Sequence, residues 1–346
     1  MKVIIALKKL HSQSSTRGIG VYTRELIAAL QKSHPKSKFI AGQVNPEKLN
    51  GQLVHYPYFD PFFLTLKILR GIPTVITIHD LIPLKFSEHF PVGIKGKLKW
   101  WLQRRRARSV DHIITDSESS KADIVKIIGV ESPKVTVIPL GPNRSQAVQV
   151  RLTKKIAASY HLPEKYLLYV GDINWNKNVT GLIETFKSIK DPDLHLVLVG
   201  KVFADAPNIP EYHQVKQAIA DSGKSEGILR LGFVPSHHLS VIYSLATLYV
   251  QPSWYEGFGL PLLEAMKFGC PVASSDRGSL KEIGGEAVAY FDPARDMLEV
   301  ISSLLRSPQR RSELAAAGLV QAAKFTWDKT AELTYKVYEQ VLAARA

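Results

Sequence analysis

Short runs of β-branched and aromatic residues alternate along the chain with longer segments in which apolar residues recur every three to four positions. In the first 145 residues the short runs predict five β-strands, at Lys2–Leu7, Gln52–Tyr56, Pro73–His79, Asp111–Thr115 and Lys134–Ile138. The longer segments predict α-helices at Ile19–Gln31, Ile94–Arg108 and Ser119–Ile128. This alternation indicates βα units, whose strands pair in parallel and whose helices cover both faces of the sheet.

The alternation stops at residues 141–151, where Pro142, Asn143 and polar neighbours predict a linker, and then it starts again. The strands predicted in the second half are Tyr166–Val170, Leu194–Val199, Ile228–Gly232, Leu248–Gln251, Pro271–Ser274 and Ala287–Phe291. The predicted helices are Val179–Ile189, Tyr212–Ala220, Leu239–Leu245 and Leu260–Phe268, then one starting at Asp292-Pro293 and a long one over Asp328–Ala344.

These patterns predict an α/β protein with two Rossmann-like domains, each a doubly wound parallel sheet, facing each other across a cleft. We expect an N-terminal domain over residues 1–145, a C-terminal domain over 146–326, and a final helix over 327–346 that packs back toward the N-terminal domain. The length of 346 residues fits two domains. A hydrophobic content of 45% with 22% charged residues is typical of globular proteins.

The cysteine content and the apolar runs indicate the compartment. A single cysteine, Cys270, rules out an intramolecular disulfide and favours a reducing cytoplasm. No apolar run reaches the roughly 18–20 residues that cross a bilayer. The run at Val3–Leu7 is too short for the core of a signal peptide. We therefore expect a cytoplasmic protein.

The chain is basic, with 45 Lys and Arg against 31 Asp and Glu and a net charge of +14, and such a field attracts polyanions. Much of this charge lies in the predicted helix Ile94–Arg108, which carries Trp100 and Trp101 and no acidic residue. Its basic residues are Lys95, Lys97, Lys99, Arg104, Arg105, Arg106 and Arg108.

Apolar residues in the same helix recur with the spacing of one helix face, at Ile94, Leu98, Trp101 and Leu102. Three interpretations remain open. The stripe packs on its own domain while the charges are solvated, the helix touches an anionic membrane surface, or the basic face binds nucleic acid.

The segment "HDLIP" places His79 and Asp80 where a predicted strand ends. Ligands of open parallel sheets bind outside the carboxyl ends of the strands, so chemistry at this position is one interpretation. A polar turn at the sheet edge is the other. We expect Asp80 to cap the following turn and to support His79, and we expect His79 to act on a substrate.

The segment "STRGIGVYTREL" predicts a glycine-containing loop before the first helix, with Arg17 preceding Gly18 and Gly20. Glycines allow a close backbone approach to a ligand, and the amides of a helix start attract anions. A plain tight turn fits equally well. The third glycine of a dinucleotide fingerprint is missing, which counts against an NAD-dependent dehydrogenase.

Two segments of the second half combine charge with predicted helix starts. In "WYEGFGLPLLEAM", Glu256 lies in a loop and Glu264 about one turn into the helix. Two acids beside the exposed amides of a helix start can hold a diphosphate and hydroxyl-rich rings together. The alternative is that both acids only complement the helix dipole. In "VGDINWNKN", Lys177 begins another helix and has the charge to neutralise a phosphate, although a surface lysine is usually only solvated. No segment has the spacing of a metal site.

Taken together, these segments resemble the retaining glycosyltransferases of family 4, which have the two-Rossmann-domain architecture called GT-B. Glu256 and Glu264 have the Glu-x7-Glu spacing of that family, and the block from Leu231 to Val272 is its most specific part. The other matching segments are "RGIGVYTREL", "HDLIP", "YVGDINWNKN" and "FTWDKTAELTYKVYEQV". The chain looks similar to bacterial O-antigen and polysaccharide enzymes that move mannose or rhamnose.

The resemblance implies roles for particular residues. His79 should reach the transferred sugar, Glu256 should contact its hydroxyls near the anomeric carbon, Glu264 should hold the nucleotide ribose, and Lys177 should neutralise the diphosphate. Arg17 is a supporting candidate. Further donor contacts are implied for Gly18, Gly20, Gly171, Asn178, Phe233, Val234, Ser253, Gly257, Phe258, Gly259 and Leu260.

One position departs from the family pattern. Many relatives carry an arginine directly after the "VG" pair, where this chain has Asp172, an acid that cannot clamp a diphosphate. Arg17 and Arg277 are the candidates to replace that arginine.

The resemblance thus implies a metal-independent hexosyltransferase that uses a nucleotide-diphosphate sugar such as GDP-mannose and needs no other cofactor. The expected acceptor is a glycan or a lipid-linked oligosaccharide of cell-surface polysaccharide synthesis. The enzyme would be peripheral on the inner face of the cytoplasmic membrane, without a nucleic-acid partner. The main alternative is a non-catalytic, polyanion-binding protein of Rossmann-like fold.

Overall fold

The computed structural model of the protein describes residues 1–6, 18–42, 52–68, 71–144 and 150–345. The chain forms two compact units, one of Met1–Gly141 with Phe325–Ala346 and one of Pro142–Lys324. The boundaries expected from the sequence were 145/146 and 326/327. Each unit contains a six-stranded parallel sheet with helices around it, which confirms the α/β class.

In its described residues the first unit contains six parallel strands, and their bounds are Lys2–Ala6 (β1), Lys38–Gly42 (β2), Leu53–Tyr56 (β3), Thr74–Thr77 (β4), His112–Thr115 (β5) and Val135–Val137 (β6). They run in the order β2-β1-β3-β4-β5-β6. The helices are Gly18–Ser33 (α1), Ile82–Lys85 (α2), Ile94–Ser109 (α3) and Glu118–Ile128 (α4). All residues of β3 and β4 are buried, as in a parallel sheet covered on both faces.

The second unit contains the strands Tyr166–Val170 (β7), His195–Val199 (β8), Ile228–Leu231 (β9), Leu248–Gln251 (β10), Val272–Ser275 (β11) and Ala289–Phe291 (β12). Its helices are Val150–Ser159 (α5), Val179–Ser188 (α6), Val202–Asp205 (α7), Pro210–Asp221 (α8), Ser236–Leu245 (α9), Leu260–Lys267 (α10), Leu280–Gly284 (α11), Met297–Arg306 (α12) and Pro308–Ala322 (α13). Short 3₁₀ turns lie at Ser132–Lys134 in the first unit and at Trp175–Lys177, Ser225–Gly227 and Gly285–Ala287 in the second.

The strand order of the second sheet is β12-β11-β10-β7-β8-β9, so the chain reverses direction across the sheet between β7 and β10. In doubly wound sheets such a reversal opens a crevice at the carboxyl ends of the two strands, where ligands bind. The loops after β7 and β10 are therefore the first places to look for a site.

The last helix, Trp327–Ala343 (α14), belongs to the first unit although it follows the second in sequence. It packs along α1, where Lys32 forms an ion pair with Asp328 at 2.8 Å. Deeper in the unit, the Tyr338 hydroxyl lies 2.6 Å from Nδ1 of the buried His55. None of the helices in the described ranges is long and apolar enough to cross a membrane.

Several elements differ from the sequence expectations, because α2, α5, α7, α11 and α13 were not predicted and two further elements differ for clear physical reasons. The edge strand β2 was not predicted, because most of its residues are at least partly exposed and its run is short. The helix expected at Asp292-Pro293 begins at Met297 instead, since the Asp292 carboxylate accepts from the amide of Ala294 at 2.9 Å and closes a turn first.

Candidate functional site

An ion pair lies at the switch point of the second sheet. Lys177 ends the 3₁₀ turn after β7, and Glu256 lies in the loop after β10. The Lys177 ammonium is 2.8 Å from both oxygens of the Glu256 carboxylate. The side chains are 23% and 8% exposed, so the pair is largely shielded but still open on the lysine side. The structure thus joins two residues that the sequence placed on separate loops.

Neutral donors complete the environment of the Glu256 carboxylate. Its Oε1 atom accepts from the Gln251 amide at 2.8 Å and from the Ser253 hydroxyl at 2.7 Å. Gln251 in turn accepts from the buried hydroxyl of Tyr249. Because each donor is itself held by a neighbour, the carboxylate has a fixed orientation before any ligand binds.

Side-chain amides join the loops after β7 and β10. Asn176 donates to the carbonyl of Tyr255 at 3.0 Å, and Asn178 donates to the carbonyl of Pro252 at 3.0 Å. Asn178 has a left-handed backbone with φ of 52°, a conformation that asparagine tolerates better than most residues. These bonds hold Lys177 and Glu256 at a constant separation.

A glycine outside the predicted site lets the chain pass against Glu256. Gly278 has φ of +62°, and a Cβ atom there would lie 2.4 Å from the Glu256 carbonyl oxygen. The same oxygen accepts from the amide of Ser279 at 3.2 Å and from its hydroxyl at 3.1 Å. The backbone of Glu256 is therefore fixed as firmly as its side chain.

We expect Gly278→Ala to lower the free energy of unfolding by about 2–3 kcal/mol, through the left-handed backbone and the contact with Glu256. Gly223→Ala is the matched control, because Gly223 has φ of +65° and no atom within 4 Å of an added Cβ. The control should lose only about 1–2 kcal/mol, the cost of the backbone conformation alone. Urea unfolding measures both, and equal losses would contradict the role of close approach.

Glu264 lies one turn into α10, whose preceding residue Gly259 has φ of +94°. The hydroxyl of the buried Tyr243 lies 3.4 Å from its carboxylate. Burial raises the pKa of Glu264 to about 7, although hydrogen bonds from Tyr243 and the Asn143 backbone and the charge of Lys267 act in the opposite direction. The carboxyl group therefore titrates near neutral pH.

The other predicted donor contacts of the second unit occupy the loops after its strands. After β9, Phe233 is 58% exposed while its neighbour Val234 is buried. After β7, a Cβ on Gly171 would lie 2.7 Å from the Tyr169 hydroxyl, so the chain passes close to that ring. Gly257, Phe258, Gly259 and Leu260 connect Glu256 to α10. Their contacts with a donor remain predictions.

Asp172, which replaces the arginine of many relatives, serves the turn after β7. Its carboxylate accepts from the amide of Ile173 at 2.9 Å, and its carbonyl accepts from Tyr169 at 2.5 Å. The Arg277 guanidinium lies 2.8 Å from Asp292 and 3.3 Å from Asp276. Arg277 is thus paired with acidic residues of its own neighbourhood, as Lys177 is with Glu256, and its role as a substitute for the missing arginine stays a prediction.

In the first unit His79 pairs with a carboxylate from the neighbouring strand. Its Nδ1 atom is 2.6 Å from Oδ2 of Asp116, directly after β5, and its Nε2 atom is 3.2 Å from the Pro57 carbonyl. The rings of His79 and Tyr22 are nearly perpendicular, with a centroid distance of 4.7 Å. Ser120 donates to the His79 carbonyl at 2.9 Å.

Both nitrogens of His79 therefore face oxygen atoms that can only accept, which a doubly protonated ring satisfies and a neutral ring does not. Burial alone would lower the pKa of His79, but the charge and hydrogen bond of Asp116, the charge of Asp80 and the Pro57 carbonyl raise it above its ordinary value. The geometry and the raised pKa both indicate that the His79 ring is a positively charged imidazolium.

A buried polar network lies behind His79. The Thr77 hydroxyl is 3.0 Å from the Tyr22 hydroxyl and 2.8 Å from Nε2 of His55, whose other nitrogen bonds Tyr338. Burial, together with the charge of His79, lowers the pKa of His55 to about 3. His55 is therefore neutral, and the positive charge of this region resides on His79.

The remaining predicted site residues of the first unit are Arg17, Gly18, Gly20 and Asp80. Gly18 and Gly20 lie in the first turn of α1 rather than in a loop, and Arg17 lies outside the described residues. The Asp80 carboxylate accepts from the amide of Ile82 at 3.0 Å and caps the turn, as expected. The carboxylate bonded to the His79 ring is that of Asp116, so the direct support comes from another strand.

The predicted basic residues of α3 fall into two groups. Arg104 and Arg108 donate to the Ile128 carbonyl at the end of α4, and Arg106 donates to the Leu66 carbonyl. The second group consists of Lys95, Lys97, Lys99 and Arg105. Their charged ends lie on the outer face or on the flanks of the helix. Trp100 packs against the core, whereas Trp101 is exposed.

Sequence reasoning missed Asp116, Gln251 and Gly278. Asp116 carried a usable signal, because it follows a predicted strand as His79 does, and adjacent strand ends meet at one edge of a parallel sheet. Gln251 was assigned to a strand and Gly278 to a connection. Only the packing of the loops shows that they surround Glu256.

Comparison with protein families agrees with the two halves of the chain. The family model of glycosyl transferases group 1 matches residues 153–320, and the model of glycosyltransferase family 4 matches residues 47–146. The chain belongs to these glycosyltransferases and has the GT-B fold, which confirms the resemblance. This membership decides against the dehydrogenase and the non-catalytic alternatives.

Two curated relatives come from Escherichia coli. O-antigen chain mannosyltransferase B is 29% identical over 298 residues, covering 82% of this chain and 74% of that protein. Serotype-specific mannosyltransferase WbdA is 30% identical over 281 residues, covering 78% of this chain and 34% of that protein. Among solved structures, Anabaena Alr3699/HepE in complex with UDP-glucose has a TM-score of 0.76 at 15% identity, covering 98% of this chain and 100% of that chain.

Proposed function

We propose that the protein transfers a mannosyl or closely related hexosyl group from a nucleotide-diphosphate sugar, GDP-mannose or similar, to a glycan or lipid-linked acceptor, with retention of anomeric configuration. The observation that carries the proposal is the Lys177–Glu256 pair at the switch point of the second sheet. The names of the relatives support the choice of mannose, and cell-surface polysaccharide synthesis as the process. A structure of the same fold that contains UDP-glucose supports the class of donor.

The first requirement of this reaction is to stabilise the leaving diphosphate. The leaving group is anionic as it departs, so it needs positive charge more than it needs a proton. In our proposal Lys177 supplies that charge, together with the positive end of the α10 dipole, where the amides of Leu260 and Leu262 lie in the first turn. This arrangement makes the reaction independent of a metal ion.

In the transfer step, the bond between the anomeric carbon and the phosphate oxygen breaks as the acceptor oxygen bonds that carbon from the same face. The acceptor proton moves to the departing phosphate, so charge and atoms balance without an external base. Glu256 contacts the sugar hydroxyls near the reacting carbon and is not a covalent nucleophile. In our proposal His79 of the first unit donates its Nε2–H, which lies 3.2 Å from the Pro57 carbonyl in this structure, to a hydroxyl of the transferred sugar.

We propose that Glu264 binds the two ribose hydroxyls, both of which donate to an ionised carboxylate. Because burial raises its pKa to about 7, nucleotide affinity should increase as the pH rises through about 7. Glu264→Gln should weaken binding roughly tenfold to a hundredfold above that pH and should remove the pH dependence. Isothermal titration between pH 6 and 8 tests this, and an unchanged pH dependence in the variant would contradict it.

A thermal-shift panel of nucleotide sugars and free nucleotides tests the proposed donor. A bound donor at a hundred times its Kd adds about 2.7 kcal/mol of stability, so the correct donor should raise the Tm. GDP-mannose is expected to give the largest shift, and the Glu264→Ala variant should show none. If no nucleotide sugar raised the Tm of the wild-type protein, the proposed donor class would be wrong.

We also propose that the enzyme works at the inner face of the cytoplasmic membrane, where lipid-linked acceptors are found. The observation that supports this part is the basic helix α3, with no acidic residue between residues 95 and 108.

A further inference from the structure

The outward face of helix α3 is apolar. Ile94 is 86% exposed, Leu98 is 66% exposed and Trp101 is 55% exposed, and they recur at the spacing of one helix face. The face of α3 that packs on the unit is formed instead around the buried Gln103 and Ala107. The interpretation in which the apolar stripe packs on its own domain is therefore wrong.

This apolar stripe forms a narrow ridge. At 100° per residue, the three apolar residues and Arg105 lie within an arc of about 60°. The Arg105 guanidinium lies over the Trp101 ring at 5.1 Å from its centroid. Lys97 and Lys95 lie on opposite sides of the ridge. The helix thus presents an apolar centre between basic margins, which is the pattern of helices that lie in a membrane interface.

A second apolar segment lies beside α3. Phe63 is 59% exposed and Leu64 is 44% exposed. The segment is bound to the helix, because the Gln103 amide donates to the Phe63 carbonyl at 2.8 Å and the Lys99 ammonium lies 5.2 Å from the centre of the Phe63 ring. Exposed apolar residues that are grouped in this way mark an interaction surface rather than chance exposure.

The charges around the ridge are unopposed. Arg104, Arg106 and Arg108 are held by backbone carbonyls, but Lys95, Lys97 and Arg105 form no ion pair with a described residue. The sequence has no acidic residue between 95 and 108. The surface is therefore complementary to a partner that is both anionic and apolar.

We propose that helix α3, together with the neighbouring segment 63–68, binds an anionic phospholipid bilayer, with the Leu98 and Trp101 side chains inserted among the acyl chains and the lysines at the headgroups. An anionic bilayer offers negative charge above hydrocarbon, and each basic side chain near its surface adds to binding. This inference deepens the proposed function, on which it rests for its biological purpose: it names the surface by which the enzyme reaches a lipid-linked acceptor.

Two other partners fit the ridge less well. Nucleic acid would use the basic residues, but the aliphatic Ile94 and Leu98 do not match phosphates and do not stack on bases. A second copy of the chain would cover the apolar residues, but it would bring two strongly basic faces together, and their repulsion would weaken the contact. Of these three partners, the bilayer alone matches both the charge and the apolar centre.

Flotation with vesicles of phosphatidylcholine containing phosphatidylglycerol tests the apolar part. We expect Leu98→Ser/Trp101→Ser to weaken binding about a hundredfold, because both side chains lose their burial in lipid. The matched control is Leu319→Ser/Val320→Ser, whose residues are 50% and 68% exposed on a helix of the other unit. The control should bind as the wild type does. Wild-type binding by the α3 variant would overturn the proposal.

A second variant tests the charge. Lys95→Gln/Lys97→Gln should weaken binding to the same vesicles about thirtyfold at low salt, and less at high salt because of screening. Lys190→Gln/Lys216→Gln, two exposed lysines of the second unit, is the control. Equal binding of the wild type to pure phosphatidylcholine vesicles would overturn the proposal. The proposal would also be overturned if the protein bound single-stranded RNA through these lysines and bound no vesicles. It would be overturned as well if the protein bound no vesicles and formed a dimer that Leu98→Ser/Trp101→Ser separates.

The two proposals fail separately. Transfer from the nucleotide sugar to a soluble acceptor is measured in parallel and should be unchanged in both α3 variants. A wild-type protein that transfers sugar but ignores anionic vesicles would refute the membrane surface alone. A protein that binds vesicles through Leu98 and Trp101 but transfers no sugar would refute the proposed function and leave the surface intact.

Discussion

Lys177→Met is expected to lower kcat roughly a hundredfold to a thousandfold, the usual effect of removing one donor that stabilises developing negative charge. The Lys177 ammonium binds both oxygens of Glu256 at 2.8 Å in this structure and is the cation proposed to receive the diphosphate. The variant should also lose at most about 3–5 kcal/mol of stability, because the shielded Glu256 carboxylate keeps only its neutral donors Gln251 and Ser253.

The double variant Lys177→Met/Glu256→Gln separates these two effects. Removing both charges should restore most of the lost stability, since no carboxylate without a counter-ion remains, while activity stays low because the proposed contacts to both sugar and diphosphate are lost. Lys165→Met is the control, because the Lys165–Asp191 pair at 2.6 Å is more exposed and should contribute at most about 1 kcal/mol. Recovery of activity together with stability in the double variant would contradict a role of Lys177 in leaving-group stabilisation.

His79→Ala is expected to lower kcat roughly tenfold to a hundredfold, the effect of losing hydrogen bonds from a charged donor, with little change in the KM for the donor sugar. His79 contributes to the transferred sugar in our proposal, whereas the nucleotide is held by Glu264. Steady-state kinetics of purified variants separates the two constants. Wild-type turnover in His79→Ala would refute the assigned role.

The pH profile distinguishes a charged His79 from a merely structural one. Because Asp116 raises the pKa of His79, the stabilising charge pair is fully present below the unfolded value of about 6.5 and is lost as the pH rises through the raised value. Activity that depends on the imidazolium should fall over the same upper range. Asp116→Asn should move that fall to lower pH.

The control for that experiment is Asp123→Asn, which removes a different ion pair of the first unit, with Lys85 at 2.8 Å. It should change stability without moving the pH profile. An Asp116→Asn variant that is slower by the same factor at every pH would show that Asp116 only maintains the fold.

The sequence predicted the sheets well because buried parallel strands have a continuous apolar signal. Strands such as Leu248–Gln251 stand out as short buried runs between helical patterns, and their carboxyl ends drew attention to Glu256 and Lys177. The edge strand β2 and the start of α12 at Met297 were not predicted, because exposure and turn chemistry determine them more than periodicity does.

Pairings between distant residues could not be read from the sequence. Asp80 is next to His79 in the chain, yet the carboxylate on the ring comes from Asp116, because β4 and β5 are neighbours in the sheet. The exposure of Leu98 and Trp101 was likewise undecided. The periodicity of α3 fits burial and exposure equally well, and only the position of Gln103 shows which face packs inward.

The most direct test of the proposed function is to follow the reaction by NMR, with GDP-mannose as donor and octyl α-mannoside as an analogue of a lipid-linked acceptor. The account predicts that the wild-type protein consumes the donor and forms a new linkage with the α configuration of the donor. It predicts that Lys177→Met forms the same linkage roughly a hundredfold to a thousandfold more slowly. A β-linked product would contradict retention. A donor signal that stays intact with every nucleotide sugar tested, with and without acceptor, would contradict the central claim.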